Sequence, residues 1–140
     1  MNKTLILPMA LLFTTAAMAQ LKVTDLRVEH MNNPTVVDET VPRFSWINEA
    51  MNEKERGKRQ TAYQIGVATS EAKAKAGDFD MWDTDKQISS ESVLIPYLGQ
   101  PLKSGKDYYW CVRTWDEDGK VSKWSQVATW GMGLLKPTDW

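Results

Sequence analysis

The chain has 140 residues, a formal net charge of −1, one cysteine, one histidine and seven tryptophans. A near-neutral balance and a pI near 5.8 exclude a general nucleic-acid binder, which needs a concentrated basic surface. A single cysteine and a single histidine exclude a disulfide framework and a Cys/His zinc cluster. The length suffices for one domain with a sizeable core and not for two, so the surplus of tryptophan is the feature to explain.

Met1-Asn2-Lys3 gives a short positive start, and Leu5 to Ala17 is an apolar run of 13 residues broken by Pro8, Thr14 and Thr15. Ala17-Met18-Ala19 then supplies a small-x-small cleavage site before Gln20. This order is that of a secretory signal peptide over residues 1–19, and the run is shorter than the ~20 residues of a membrane-spanning helix. The mature chain is expected to begin at Gln20 and to be exported, to the periplasm or the medium. No cysteine follows the cleavage site, so no lipid anchor is expected. Cys111 has no intramolecular partner and is expected to be a small buried residue.

Beyond that segment, short alternating runs are separated by turn chemistry, the pattern of an all-β sandwich. Leu21 to Glu29 reads as the first strand. Arg43 to Ile47 is the second, launched by Pro42, with Phe44 and Trp46 on one face. A charge-rich connector, Asn48 to Arg59, turns at Gly57. Ala62 to Ala68 is the third strand, with Tyr63, Ile65 and Val67 facing one way. Ser70 to Ala76 is helix-friendly and is expected to be a surface turn. Met81 to Asp83 begins a short fourth strand that resumes at Lys86 to Ile88. Ser92 to Pro96, Asp107 to Asp116 and Trp124 to Gly131 complete seven strands in roughly 110 residues, which fits an immunoglobulin-like or fibronectin type III sandwich over residues 20–133.

Leu102 to Tyr108 (Leu-Lys-Ser-Gly-Lys-Asp-Tyr) resembles the leucine-to-tyrosine turn that enters the sixth strand of fibronectin type III domains. The resemblance makes Tyr108, with Leu102, the candidate structural corner, its hydroxyl bonded back to the backbone. Period two then sends Tyr108, Trp110, Val112 and Thr114 to the core, and Tyr109, Cys111, Arg113 and Trp115 to the opposite face. Asp116-Glu117-Asp118-Gly119-Lys120 closes the hairpin, with Gly119 at positive φ. Two aromatics, a thiol and an arginine are unusual on a face open to water. Ser122-Lys123-Trp124-Ser125 resembles half of the Trp-Ser-x-Trp-Ser motif of cytokine-receptor domains, in which tryptophans stack on arginines of the neighbouring strand. The resemblance implies one such cation–π rung, Arg113 against Trp124 or Trp115, worth about 0.5–1 kcal/mol if exposed. The alternatives are a docking face for another domain and a sugar-stacking platform; Tyr109, Arg113, Trp115, Trp124 and Trp140 are the residues of that interdomain or stacking face.

Catalytic apparatus is hard to find in this chain. Asp78, Asp80, Asp83 and Asp85 surround Phe79, Met81 and Trp82, but acids in a short strand flanked by turns are expected in solvent. Asp116-x-Asp118-Gly119 has its glycine two positions too early for an EF-hand calcium loop. His30 stands alone, with no serine or cysteine context for a triad. Lys54, Arg56, Lys58 and Arg59 are interleaved with Glu53 and Glu55, which makes a solvated loop. No catalytic residue, metal or cofactor is expected, and neither nucleic acid nor a membrane span.

The order of short blocks along the chain resembles the N-terminal sandwich of bacterial α-L-rhamnosidases. The blocks are Pro42-Arg43-Phe44-Ser45-Trp46, Gln60 to Ile65, Trp82 to Lys86, Tyr97 to Leu102, Tyr108 to Asp116, Trp124-Ser125, Gly133-Leu134-Leu135 and Asp139-Trp140. Asp85 stands where that family places a turn glycine, and Asp tolerates a left-handed turn; Cys111 replaces a basic residue. The resemblance implies a non-catalytic leading module, followed in the family by further β domains and an (α/α)6 barrel carrying the catalytic glutamates. The reaction it implies is inverting hydrolysis of terminal α-L-rhamnosides, by an acid and a base roughly 6.5–9.5 Å apart. On this view residues 134–140 begin the linker to a following domain, and an end at Trp140 is that of a fragment or a broken reading frame. The implied partners are the following domains of the same enzyme, with rhamnose-containing glycans as a second candidate. Two other readings stay open: a stand-alone carbohydrate-binding module using Trp82, Trp115 or Trp130, and a protein-binding adhesion-type sandwich.

Overall fold

The structure, a computed structural model, describes residues 21–52 and 57–139. The expected signal peptide, Lys54 and Arg56 of the basic run, and Trp140 lie outside the described residues. The strands are β1 (Leu21–Val28), β2 (Arg43–Ala50), β3 (Ala62–Ala68), β4 (Trp82–Asp83), β5 (Gln87–Ile88), β6 (Ile95–Pro96), β7 (Asp107–Trp115) and β8 (Ala128–Gly131), with a helix α1 (Glu71–Ala76) between β3 and β4. One sheet has the order β1-β2-β6; the other has β4-β3-β7-β8, with β5 pairing β3 as well. Every strand pairing is antiparallel. The fold is an all-β, immunoglobulin-like sandwich.

Strand parity explains which residues meet between the sheets. In β1, Leu21 and Val23 are buried, and the phase then slips so that Leu26 and Val28 are buried. The slip is a bulge: the register to β2 shifts between Thr24 and Arg27, and Asp25 sits at φ 51°. An extra residue inserted in one strand moves the following side chains to the other face. Asp25 is held there by Asn32 Nδ2 (2.8 Å) and Arg27 Nε (3.1 Å), both donating to its carboxylate.

Phe44 is central to the core. Its ring lies 4.5 Å from Trp110, 5.3 Å from Trp130 and 6.1 Å from Trp82, centroid to centroid. Phe44, Trp110 and Trp130 are fully buried. The Trp110 indole N–H has no partner among the described residues, a cost of about 1–3 kcal/mol that the burial of so large a ring offsets. Trp46 solves the same problem with a polar network. Its Nε1 donates to Gln60 Oε1 (3.0 Å), which also accepts from Asn48 Nδ2 (3.0 Å). Gln60 Nε2 donates to the Ser89 and Glu91 carbonyls, and Thr114 Oγ1 donates to Asn48 Oδ1.

Several expectations are corrected. The stretch Ser70 to Ala76 is a short helix and not a surface turn. Ser70 Oγ accepts from Lys73 N at its start, and Gly77, at φ 76°, closes its end with bonds to the Lys73 and Ala74 carbonyls. Cap chemistry at both ends, with Ala74 buried against the sheet, stabilises a helix too short to persist alone. The second strand runs three residues further, to Ala50, because Asn48, Glu49 and Ala50 pair with Val23, Lys22 and Leu21. The fifth strand shrinks to Ile95–Pro96: Leu94 is at φ 54°, and its N–H is taken by Ser45 Oγ instead of a ladder carbonyl. The seventh expected strand, Trp124 to Gly131, begins only at Ala128.

Candidate interaction face

The outer face of the five-stranded sheet is not open to water along its whole length. Gly66 of β3 lies under Phe79, where a Cβ would collide with the ring. Cys111 is 2% exposed, in a pocket shared by Ala74 of α1, Phe79 and Trp124. Burial pushes its thiol up to about 12, so it stays protonated and unreactive at neutral pH. Tyr109, Arg113 and Trp115 are half-buried.

The segment that precedes β8 explains how a tryptophan reaches this face. The N–H groups of Ser122 and Ser125 donate to the Thr114 and Val112 carbonyls (2.7 and 2.8 Å). The hydroxyls of the same two serines accept from Thr114 N and Val112 N (3.0 Å each). Each serine thus satisfies both backbone groups of its β7 partner, the acceptor being a side chain instead of a carbonyl. A strand ladder is replaced by two hydroxyl bridges, which is why regular pairing is delayed to Ala128. Trp124 lies between them and is turned onto Arg113.

Arg113 Cζ stands 4.6 Å from the centroid of Trp124 and 5.3 Å from that of Trp115. Phe79 packs on Trp124 at 5.2 Å, and Lys86 Nζ lies 5.0 Å over Trp115. The order Phe79–Trp124–Arg113–Trp115–Lys86 is a ladder of rings and cations. Arg113 is oriented by Nε, which donates to Gln64 Oε1 (2.8 Å), and Gln64 Nε2 donates in turn to Asp83 Oδ1 (2.8 Å). A planar guanidinium held edge-on by an amide can present its faces to rings, a geometry lysine cannot reproduce. Tyr109 is not part of this array: it pairs across the sheet with Ala68 and Thr129, toward the other end of β7. Trp140 lies outside the described residues.

At the corner, Tyr108 is 3% exposed and its hydroxyl accepts from Lys103 N at 2.8 Å. Leu102 packs against the core beneath it. Trp82 closes the core edge against Tyr97 (5.2 Å), and Trp130 stacks on Tyr108 (5.3 Å) within the core.

The acids serve turns and ion pairs. Asp80 accepts from Thr69 N, Thr69 Oγ1 and Lys73 Nζ. Asp83 accepts from Asp85 N, and Asp85 adopts φ 53° at the break between β4 and β5. Asp116 is fully buried, and its Oδ1 accepts from Asp118 N and Lys120 N to close the hairpin, with Gly119 at φ 75°. Lys58 and Arg59 pair with Asp118 and Glu117. His30 is exposed in a turn at φ 66°. Among the described residues, no cluster of three or more His, Cys, Asp or Glu side chains could hold a metal ion, and no helix is long and apolar enough to cross a membrane.

Reading strand by strand missed Gln60 and Gln64. Both are buried polar residues, Gln60 beside Trp46 and Gln64 on the outer face beside Arg113, and nothing in their local pattern marks them; only the identity of those partners gives them roles.

The chain matches the family described as the Rha78A-like N-terminal immunoglobulin domain over residues 23–136. It is 42% identical over 123 residues to an α-L-rhamnosidase of Streptomyces avermitilis, covering 88% of this chain and 12% of that protein. It is 40% identical over 120 residues to one of an Alteromonas species, covering 85% and 13%. Among solved structures, the Streptomyces avermitilis α-L-rhamnosidase complexed with L-rhamnose superposes with a TM-score of 0.79 at 42% identity, over 86% of this chain and 11% of that one. The α-L-rhamnosidase of Dictyoglumus thermophilum does so with a TM-score of 0.80 at 36% identity, over 90% and 14%. The chain thus spans about an eighth of the length of these relatives. It belongs to the family of Rha78A-like N-terminal immunoglobulin domains.

Proposed function

We propose that this domain is the non-catalytic leading module of an exported α-L-rhamnosidase, in which the inverting hydrolysis of terminal rhamnosides is carried out by other domains. The observation that carries this reading is the extent of the match: proteins named α-L-rhamnosidases align with this chain over this domain alone. The chemistry of the acids agrees with it. A glycosidase needs two carboxyl groups facing each other across a cleft, whereas Asp80, Asp83 and Asp116 are engaged in holding turns.

Within this reading Arg113, Trp115 and Trp124 form a strut inside the module. A platform for rhamnose-containing glycans needs a ring face free of other groups, and here cations lie over both tryptophans. Tyr109, half-exposed nearer the start of β7, is the member of the row placed to meet a following domain. Residues 1–19 act as the export signal, and residues 134–140 lead toward the rest of the enzyme.

The gene tests this directly. A reading frame that continues past Trp140 into sequence aligning with the remainder of these enzymes is expected. A stop codon followed by unrelated sequence in every frame would sink the proposal. Export is tested separately, by a mature N-terminus at Gln20 in the secreted protein.

A further inference from the structure

The segment after β8 does not leave the sandwich freely. Met132 N donates to the Lys106 carbonyl (2.8 Å), and Gly105 N donates to the Met132 and Gly133 carbonyls (2.9 and 3.3 Å). This binds the segment to the turn that precedes β7. Ser104, in the same turn, makes two further bonds: its Oγ accepts from Leu135 N (2.9 Å) and donates to Asp139 Oδ2 (2.6 Å). The same Asp139 oxygen accepts from Lys136 N (3.0 Å), while Asp139 N donates to the Lys136 carbonyl (2.9 Å). Between them lies a 3-10 turn, Pro137–Asp139, whose proline fixes one backbone dihedral in advance. Leu135 anchors the arrangement by packing against the core.

One carboxylate oxygen therefore gathers a hydroxyl from one turn and an amide from another, and the hydroxyl holds a second amide. Hydrogen bonds to an ionised acceptor are stronger than neutral ones. The Asp139 carboxyl is accordingly held below its ordinary range, first by the Ser104 hydroxyl.

We propose that Ser104 and Asp139 form an exit clamp that fixes the direction in which the chain departs from the sandwich. Its purpose rests on the module reading above. In a longer enzyme, a departure fixed by hydrogen bonds sets the angle of the following domain, where a Gly/Ser-type linker would leave that angle free. Tyr109 lies at this same end of β7, opposite Thr129 of β8. The ladder stands toward the other end of that strand and takes no part.

The test is residue-resolved amide hydrogen exchange on this chain. The Leu135 and Lys136 amides are expected to exchange at least about tenfold more slowly than unprotected amides, since local opening of the clamp must precede exchange. Ser104→Ala should remove that protection at Leu135, and Asp139→Ala should remove it at Lys136. Ile65 and Val112 should keep their protection in both variants. Asp139 is exposed, so its substitution probes the clamp without disturbing the core. Unprotected exchange at Leu135 and Lys136 in the unsubstituted chain overturns the proposal, as does protection indifferent to both substitutions. These rates report the clamp whatever the chain belongs to, and the reading frame beyond Trp140 reports the module reading alone.

Discussion

Aromatic residues are concentrated in two parts of this domain, and the two use the same rings in different ways. Between the sheets, Phe44, Trp110 and Trp130 are fully buried and pack ring on ring. On the outer face, Trp115 and Trp124 are half-buried and alternate with cations. The core cluster draws its energy from area removed from water, about 25 cal/mol per Å². The ladder draws on ring electrostatics and a few oriented hydrogen bonds, worth much less per residue. The core should therefore decide whether the domain folds, and the ladder how firmly the outer sheet keeps its geometry.

The difference can be broken at its strong end. Phe44→Ala should cost about 3–5 kcal/mol, read as a shift in the urea midpoint. For a domain with the usual 5–15 kcal/mol of stability, that removes much of the margin; a loss below about 1 kcal/mol would mean that the cluster is not the core. Tyr108→Phe comes next. It keeps the ring but removes the acceptor for Lys103 N, and should cost about 1 kcal/mol. An unchanged midpoint would reduce the corner to ring packing alone.

The ladder is sharpened by a double-mutant cycle between Arg113 and Trp124. A coupling of about 0.5–1 kcal/mol is expected, with Arg113→Lys recovering only part of it because the bond to Gln64 is lost. Zero coupling would make the stack incidental. Smaller still is an effect on neither cluster, which serves as the control. Glu29 is held below its ordinary value near 4.5, first by its hydrogen bond from Arg43. A carboxyl depressed in the folded state contributes fully above its unfolded pKa and loses that contribution as pH falls through the folded one. Glu29→Gln should therefore flatten the loss of stability below about pH 4.5 and alter neither aromatic cluster. The effect is small because Arg43 is nearly half exposed and exposed ion pairs contribute little; an acid limb identical in the two proteins would show that the pair contributes nothing.

What the sequence revealed of this division follows from which signals are local. Period two along Asp107 to Trp115 separates Trp110 from Arg113 and Trp115 without any knowledge of the rest of the fold. The Ser-x-Trp-Ser pattern points to an arginine on the next strand, and the structure places Arg113 beside both tryptophans. Trp130 was invisible because its burial depends on pairing with Tyr108, a partner more than twenty residues away. The delayed start of β8 was invisible for a related reason. A serine hydroxyl replacing a ladder carbonyl leaves no trace in hydrophobic periodicity. Phe79 covering Gly66, and Gln64 holding Arg113, are likewise contacts between distant segments that no window on the chain contains.

The central claim is that the tryptophans of this domain build and stiffen a module without chemistry of its own. Its most direct test is to incubate the purified chain with an aryl α-L-rhamnoside while titrating the same preparation calorimetrically with rhamnose-containing oligosaccharides at millimolar concentration. The predicted result is no release of the aryl alcohol and no saturable heat. Turnover abolished by a single carboxylate substitution, or saturable heat that vanishes in Trp115→Ala, would contradict it.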